Sequence, residues 1–365
     1  MEKEILPLYT YNLAMGGKMY KEFGRNYSKE KTSKSNRNLW GIILAGGEGN
    51  RLKDFVTKLY GYHRPKQYCK IVHSKSLIKR TRERALSIIP NERLLTIINR
   101  QHLEYAEEEI GDHPAENIVI QPKNKETCAG LLLPLLNVYN RDPSSIVAVL
   151  PSDHFIHPEE HFMKYVEEAG EFVNRNPNAI VMLGIVPDRI ESGYGWIERG
   201  DPVHQSTTKN FYKVLKFWEK PSPQTTEVLF ASGCYLNTFV LIGRSEEFIN
   251  YIRLYAPEIY NPFQKIRLNQ NKQIEPLILE EIYNEIPAIN FSTFVLEKIT
   301  QHLHVLEVPD VYWSDWGEEQ RILRDNERFG LGKIEMQTSR KNTQQAITRS
   351  GKFAHASKEI LYTVK

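Results

Sequence analysis

Cysteine is scarce in this sequence. Cys69, Cys128 and Cys234 are the only three in 365 residues, and they stand far apart. An odd, scattered set argues against a disulfide framework and against a thiolate zinc site, and it suits a reducing, cytoplasmic setting. Long apolar runs are missing too. None approaches the roughly 18–20 residues that span a bilayer, so no membrane insertion is expected. The opening stretch lacks a basic start followed by an apolar segment, so no secretory leader is expected either. Two well-known phosphate signatures, G-x-x-x-x-G-K-[ST] and G-x-G-x-x-G, fail to match the first glycine-rich loop. A net charge of +3 conceals an uneven spread: both ends are basic and the stretch between them is mildly acidic. Neither basic end interleaves aromatics or carries a nucleic-acid-binding motif. Solvated tails are the expected reading, and no nucleic-acid partner is expected.

What is present is an alternation. Residues 1–37 are rich in Lys, Ser and Asn and read as a basic, mobile extension. From Leu39 onward, apolar strand-like runs (Leu39–Ala45, Leu94–Asn99, Ile118–Ile120, Ile146–Leu150, Ala179–Gly184) alternate with helical stretches. The helical stretches are Ser76–Ile88, Gln101–Ile110, Thr127–Tyr139 and His161–Asn174. Such alternation predicts an α/β fold with a mixed, mainly parallel sheet sandwiched by helices. After Gly184 the pattern loosens, with strands expected at Tyr194–Glu198, Phe211–Trp218 and His302–Val308. Helices are expected near Ser245–Tyr255, Glu275–Tyr283 and Glu318–Asn326. One domain over residues 38–330 is expected, with 331–365 as a basic polar tail.

The chemistry starts at Leu44-Ala45-Gly46-Gly47-Glu48-Gly49-Asn50-Arg51. Glycines let a backbone approach a ligand closely and adopt positive φ. Successive N–H groups in such a loop make an anion nest. The loop follows the first strand, at the carboxyl edge where open α/β sheets bind ligands. Arg51 adds a permanent forked cation suited to phosphate. By itself the loop is equally a tight turn. Arg64-Pro65-Lys66-Gln67 offers a second cation, or only a surface turn. Asp153, after the apolar run ending at Leu150, is placed to hold Mg²⁺, which prefers hard oxygen ligands, or to serve as a turn or cap residue. Asp315, in Trp313-Ser314-Asp315-Trp316-Gly317, is a second such aspartate. His154 reads as neutral or structural, and Trp40, Phe211, Phe217 and Phe239 read as core.

Together these segments resemble the sugar-1-phosphate nucleotidyltransferases, most closely their mannose-1-phosphate guanylyltransferase branch. The pattern L-A-G-G-x-G-x-R-L is met by Leu44–Leu52, P-K-Q by Pro65–Gln67 and P-[SA]-D-H by Pro151–His154. G-Y-G-[YW]-I is met by Gly193–Ile197, [VW]-E-K-P by Trp218–Pro221 and W-S-D-x-G by Trp313–Gly317. Leu236-Asn237-Thr238 is similar to the W-N-[ST] region, with leucine where tryptophan is common. The ordered set runs over about residues 39–328.

The resemblance implies a nucleotide-binding set of Leu44, Ala45, Gly46, Gly47, Gly49, Arg51, Lys66, Gln121 and Asp153. It implies Gly195, Glu219, Lys220 and Asn237 for the sugar phosphate, Asp153 and Asp315 for Mg²⁺, and Arg51, Lys66 and Asp153 as the catalytic groups. The implied reaction is in-line attack by a sugar-1-phosphate oxygen on the α-phosphorus of a nucleoside triphosphate. The implied substrates are GTP and mannose-1-phosphate; homo-oligomerisation is compatible with the family. Two departures, Gln121 for the base and Leu236 for the sugar, keep the substrates open. The guanylyl branch has Glu-Pro where Gln121-Pro122 stands, and Gln occurs there among thymidylyl relatives, so dTTP or UTP with glucose-1-phosphate is the competing pair. A non-catalytic regulatory subunit of this fold is the other alternative. Many relatives also carry a C-terminal isomerase or β-helix domain, and the polar stretch after residue 330 is too short to be either.

Overall fold

A computed structural model describes residues 38–72, 74–203, 210–265 and 275–334. The expected extension 1–37, and the tail from 335 on, lie outside the described residues. The strands among the described residues are β1 (Leu39–Ala45), β2 (Leu94–Asn99), β3 (Ile118–Gln121), β4 (Ile146–Pro151), β5 (Phe155–His157) and β6 (Ile180–Ile185). The rest are β7 (Trp196–Pro202), β8 (Phe211–Trp218), β9 (Tyr235–Arg244), β10 (Leu303–Val308) and β11 (Tyr312–Ser314).

Nine strands form one sheet in the order β3-β2-β1-β4-β9-β6-β10-β8-β7. The expected parallel block is there: β3, β2, β1 and β4 run parallel, as do β6 and β10. β9 enters antiparallel between β4 and β6, and β7 and β8 form an antiparallel hairpin at the edge. The buried strands β1, β2, β4 and β6 are near-continuous apolar runs because helices cover both faces.

One face packs against the helices Glu126–Arg141, Ser245–Tyr255 and Pro257–Phe263. The other packs against Leu77–Leu86, Leu103–Ile110 and Glu159–Arg175. The first strand, β1, lies between β2 and β4, so the chain reverses its direction of winding there. That switch point opens a crevice at the carboxyl ends of β1 and β4.

Several boundaries differ from expectation. The strand expected at Tyr194–Glu198 begins only at Trp196, because Tyr194 turns its ring onto Trp313, with centroids 4.9 Å apart. The longest strand, β9, is absent from the sequence-based expectation, and so are the helices Lys53–Tyr60 and Pro223–Ala231.

β5 and β11 stand apart from the main sheet as a two-stranded antiparallel ribbon. Its register pairs Phe155 with Ser314, Ile156 with Trp313 and His157 with Tyr312. A third, smaller core lies beneath it. There Leu52, Phe55, Val56 and Leu59, in and just before the helix Lys53–Tyr60, meet Phe155, Trp316 and Ile322. This cluster fastens three distant segments to one another below the crevice.

Candidate active site

Local geometry around Gly49 explains the first loop. Gly49 has φ 67°, in the left-handed region. A Cβ there would stand 2.9 Å from the backbone nitrogen of Lys66, so only glycine lets the loop close against the Pro65-Lys66-Gln67 segment. Gln67 is buried, and its Nε2 donates to the carbonyl oxygens of Ala45 at 2.9 Å and Gly47 at 2.7 Å. Sequence reasoning missed this clamp on the loop; its one signal is its place beside Lys66 in P-K-Q. A single 3₁₀ turn, Asn50–Leu52, then buries Leu52 and leaves the Arg51 side chain 62% exposed.

Lys66 is the hub. Its side chain is only 4% exposed, and a buried ammonium needs partners. Nζ lies 2.9 Å from Asp153 Oδ2 and also donates to the backbone oxygen of Asp315. Asp153 follows the end of β4 and precedes β5; Asp315 directly follows β11. The ribbon therefore delivers both aspartates to one ammonium. Asp315 Oδ2 accepts from Arg51 Nη2 at 3.3 Å, while Oδ1 accepts from the Gly317 amide at 2.8 Å and from Arg321 Nη1 at 2.7 Å. The Gly317 bond is the turn role that the sequence also allowed.

Trp316 secures this turn. It adopts φ 44°, a costly conformation for a bulky residue. Its fully buried indole stacks on Phe155, at 4.8 Å and 3°, and its Nε1 donates to Asp325 Oδ2 at 2.9 Å. Burial and that hydrogen bond hold the strained backbone.

The electrostatics keep both carboxylates ionised. Burial pushes the Asp153 carboxyl up, but the combined pull of its neighbours, the charge and hydrogen bond of Lys66 foremost, holds the group below the ordinary range. Burial likewise opposes ionisation of Asp315, yet Lys66 and Arg321 bring it down to about 2. His154 is pushed down to about 4, chiefly by burial, and its Nδ1 accepts from Trp313 Nε1 at 3.1 Å. It is thus neutral at pH 7, in line with the expectation from the sequence.

Can this set hold a metal? Among the described residues no group of three or more His, Cys, Asp or Glu could do so. Mg²⁺ does not require one: it is commonly held by one or two carboxylates, with phosphate and water completing the shell. Here a cation of the chain itself, Lys66, already touches both aspartate residues. The donors present fit a hard divalent cation.

Gln121 ends β3 at the same sheet edge. It pairs in register with Asn99, whose Nδ2 reaches the Gly46 oxygen at 3.3 Å. Gln121 is buried, and Tyr283 Oη is 3.5 Å from its Oε1. On the other side of the crevice, the Asn237 amide donates to the Gly195 oxygen at 2.8 Å. Asn237 Oδ1 in turn accepts from the Phe239 amide at 2.9 Å. Glu219 and Lys220 leave the end of β8 in a turn, with Lys220 at φ 46° and its Nζ 3.6 Å from Glu219. Burial raises the Glu219 carboxyl above its ordinary value, against the pull of Lys220. No hydrogen bond or ion pair joins this pair to Asp153 or Asp315 among the described residues. The glycine loop, Arg51, Lys66, Asp153 and Asp315 are therefore brought together, Gln121 shares their edge, and Gly195 with Asn237 forms a neighbouring patch. Trp40, Phe211 and Phe217 are buried core, whereas Phe239 is only partly buried, at φ 55°.

Comparison with known proteins gives concordant matches. A family model described as nucleotidyl transferase matches residues 40–329. Mannose-1-phosphate guanylyltransferase 2 of Escherichia coli O157:H7 is 30% identical over 290 residues, covering 77% of this chain and 58% of that protein. Mannose-1-phosphate guanylyltransferase RfbM of Salmonella typhimurium is 30% identical over 323 residues, covering 86% and 62%. The chain thus spans about three-fifths of the length of these relatives. A solved structure described as mannose-1-phosphate geranyltransferase from Thermus thermophilus shares the fold. Its TM-score is 0.67 at 23% identity, covering 79% of this chain and 78% of that one.

Proposed function

Because this chain belongs to the nucleotidyl transferase family, we propose that it transfers a nucleotidyl group from GTP to mannose-1-phosphate, releasing pyrophosphate. The observation that carries the proposal is the contact of Lys66 with both Asp153 and Asp315 behind the glycine loop. Relatives named as mannose-1-phosphate guanylyltransferases support the choice of substrates. The attacking sugar phosphate is already an anion near neutral pH, so no general base is needed. The obstacles are repulsion between two polyanions and charge that builds on the departing pyrophosphate. Lys66, Arg51 and the loop amides answer both by positioning and by fixed positive charge. Exposed Arg51 is free to leave Asp315 for a phosphate, while buried Lys66 stays in place. Asp153 and Asp315 would hold Mg²⁺, which neutralises phosphate charge when bound. Gly195, Asn237, Glu219 and Lys220 would receive the sugar phosphate. The reaction suits a cytoplasmic enzyme.

One observation favours a second pair of substrates for the same reaction. Gln121 offers one acceptor and one donor, whereas guanine presents two adjacent donors. One amide oxygen leaves one of those donors unmet, whereas thymine or uracil has a single N3–H donor, which favours dTTP or UTP with glucose-1-phosphate. A grid of nucleotides against sugar phosphates with Mg²⁺, scored by pyrophosphate release, decides. The proposal expects the GTP and mannose-1-phosphate pair to lead. Release with none of the pairs would point to a non-catalytic subunit.

A further inference from the structure

Arg321 belongs to none of the motifs above, yet it makes the shortest side-chain contact to the Asp315 carboxylate. It lies on the helix Glu319–Phe329 and is only 4% exposed. Its fork is divided: Nη1 reaches Asp315 Oδ1 at 2.7 Å and Nη2 reaches Glu191 Oε2 at 3.1 Å. Its guanidinium lies 4.3 Å from the centre of the Tyr194 ring. A Cβ on Gly193 would stand 2.7 Å from Nη2, so the Gly193–Gly195 backbone can lie this close only because residue 193 has no side chain.

The two oxygens of Asp315 consequently differ. Oδ1 is fixed by Arg321 and by the Gly317 amide. Oδ2 faces Arg51, which is mostly exposed and 3.3 Å away. One oxygen is anchored and the other is exchangeable, which is what a carboxylate needs to present a single oxygen to an incoming cation.

We propose that Arg321 is a positioning residue that fixes the Asp315 carboxylate as a cation ligand and ties it, through Glu191 and Tyr194, to the segment leading to Gly195. This rests on the reading of Asp315 given above. The same helix is fastened to that segment twice more, by Arg324 to Glu191 and by Arg328 to Asp188. A shift of the 188–195 segment when an anionic sugar binds is therefore carried to Asp315. Lysine at 321 can reach one carboxylate but cannot span both and stack on the ring.

The test is Mn²⁺ binding to the full-length protein with GTP, read by electron paramagnetic resonance, alongside thermal melting. Outer partners of metal ligands typically contribute about 10–100-fold in affinity. R321M is expected to weaken Mn²⁺ within that range, R321K to recover part of the loss, and E191Q to lose less than R321M. Combined with D315N, R321M should add nothing further, since both act at one carboxylate. Wild-type Mn²⁺ affinity in R321M with only a lowered melting temperature would overturn the proposal. So would losses that multiply in the double variant, or a wild-type GTP complex that holds no Mn²⁺. Turnover is scored separately. Protein that binds Mn²⁺ through this pair yet releases no pyrophosphate would sink the proposed reaction and leave the role of Arg321 standing.

Discussion

Ser314 stands opposite Phe155 in the two-stranded ribbon, and that pairing brings the two candidate metal-binding residues, Asp153 and Asp315, to the same ammonium of Lys66. Asp315 is one residue beyond Ser314, and Asp153 is two before Phe155. The ribbon is short, so the aromatic cluster under it supplies much of its hold. Phe155 is 1% exposed and lies flat against Trp316. Phe155→Ala is expected to cost about 3–5 kcal/mol and to abolish turnover by freeing the Asp315 turn. Phe155→Leu should cost less and keep part of the activity. Thermal melts and pyrophosphate release on the two variants check this; full activity in Phe155→Ala would uncouple the ribbon from the site.

Lys66→Ala and Asp153→Ala are each expected to lower turnover by about 10²–10³. Both should stay folded: in Lys66→Ala the Asp153 side chain, 34% exposed, reaches water, and in Asp153→Ala the Lys66 ammonium keeps its bond to the Asp315 backbone oxygen. Circular dichroism together with initial rates separates this outcome from unfolding. Unchanged rates would remove both residues from the chemistry.

Gln121→Glu is expected to move base preference toward guanine. A carboxylate accepts from both the N1–H and the N2–H₂ of guanine, which one amide oxygen cannot do. Pairing or orphaning a buried donor separates substrates by about 1–3 kcal/mol, or roughly 5- to 150-fold in relative kcat/KM. The ratio of GTP to dTTP should rise by that amount. A ratio that does not move would place the base elsewhere.

Away from the crevice, His113 sets a pH dependence of stability. It is 4% exposed, and its Nδ1 accepts from Arg82 Nε at 3.2 Å, with Asp112 on the far side of Arg82. Burial first, and Arg82 second, push it down to about 4. The unfolded chain takes up this proton near pH 6.5 and the folded protein only near 4. Stability is therefore fully present above about pH 6.5 and falls as the pH drops toward 4, by about 3 kcal/mol in all. His113→Asn keeps an acceptor for Arg82 and should flatten that part of the curve. Chemical denaturation at about pH 7 and about pH 4.5 samples most of this window and tests it; parallel losses in both proteins would assign the slope to other groups.

The first half of the sheet was legible because its strands are continuous apolar runs, and the glycine loop because Gly46, Gly47 and Gly49 sit together before Arg51. β9 was not. Its apolar run, Phe239–Ile242, is short, follows the polar Asn237-Thr238 and precedes a glycine, and its antiparallel neighbours β4 and β6 come from distant sequence. β5 and β11, three residues each, exist only because they pair with one another. Local periodicity carries no trace of such a partner, although it is this pair that joins Asp153 to Asp315. Arg321 was invisible for a related reason. On a charge-rich helix an arginine reads as a solvated face, and only the tertiary contact with Glu191 and Asp315 buries it.

The most direct test of the account follows the α-phosphate. The purified full-length protein is incubated with GTP labelled with ³²P at the α position, mannose-1-phosphate and Mg²⁺, and the label is tracked by chromatography. The label is expected in a nucleotide-sugar, with unlabelled pyrophosphate formed in equal amount and almost none of either product in the Lys66→Ala variant. Label that stays in GTP, or that passes to GDP without entering a sugar product, would contradict it.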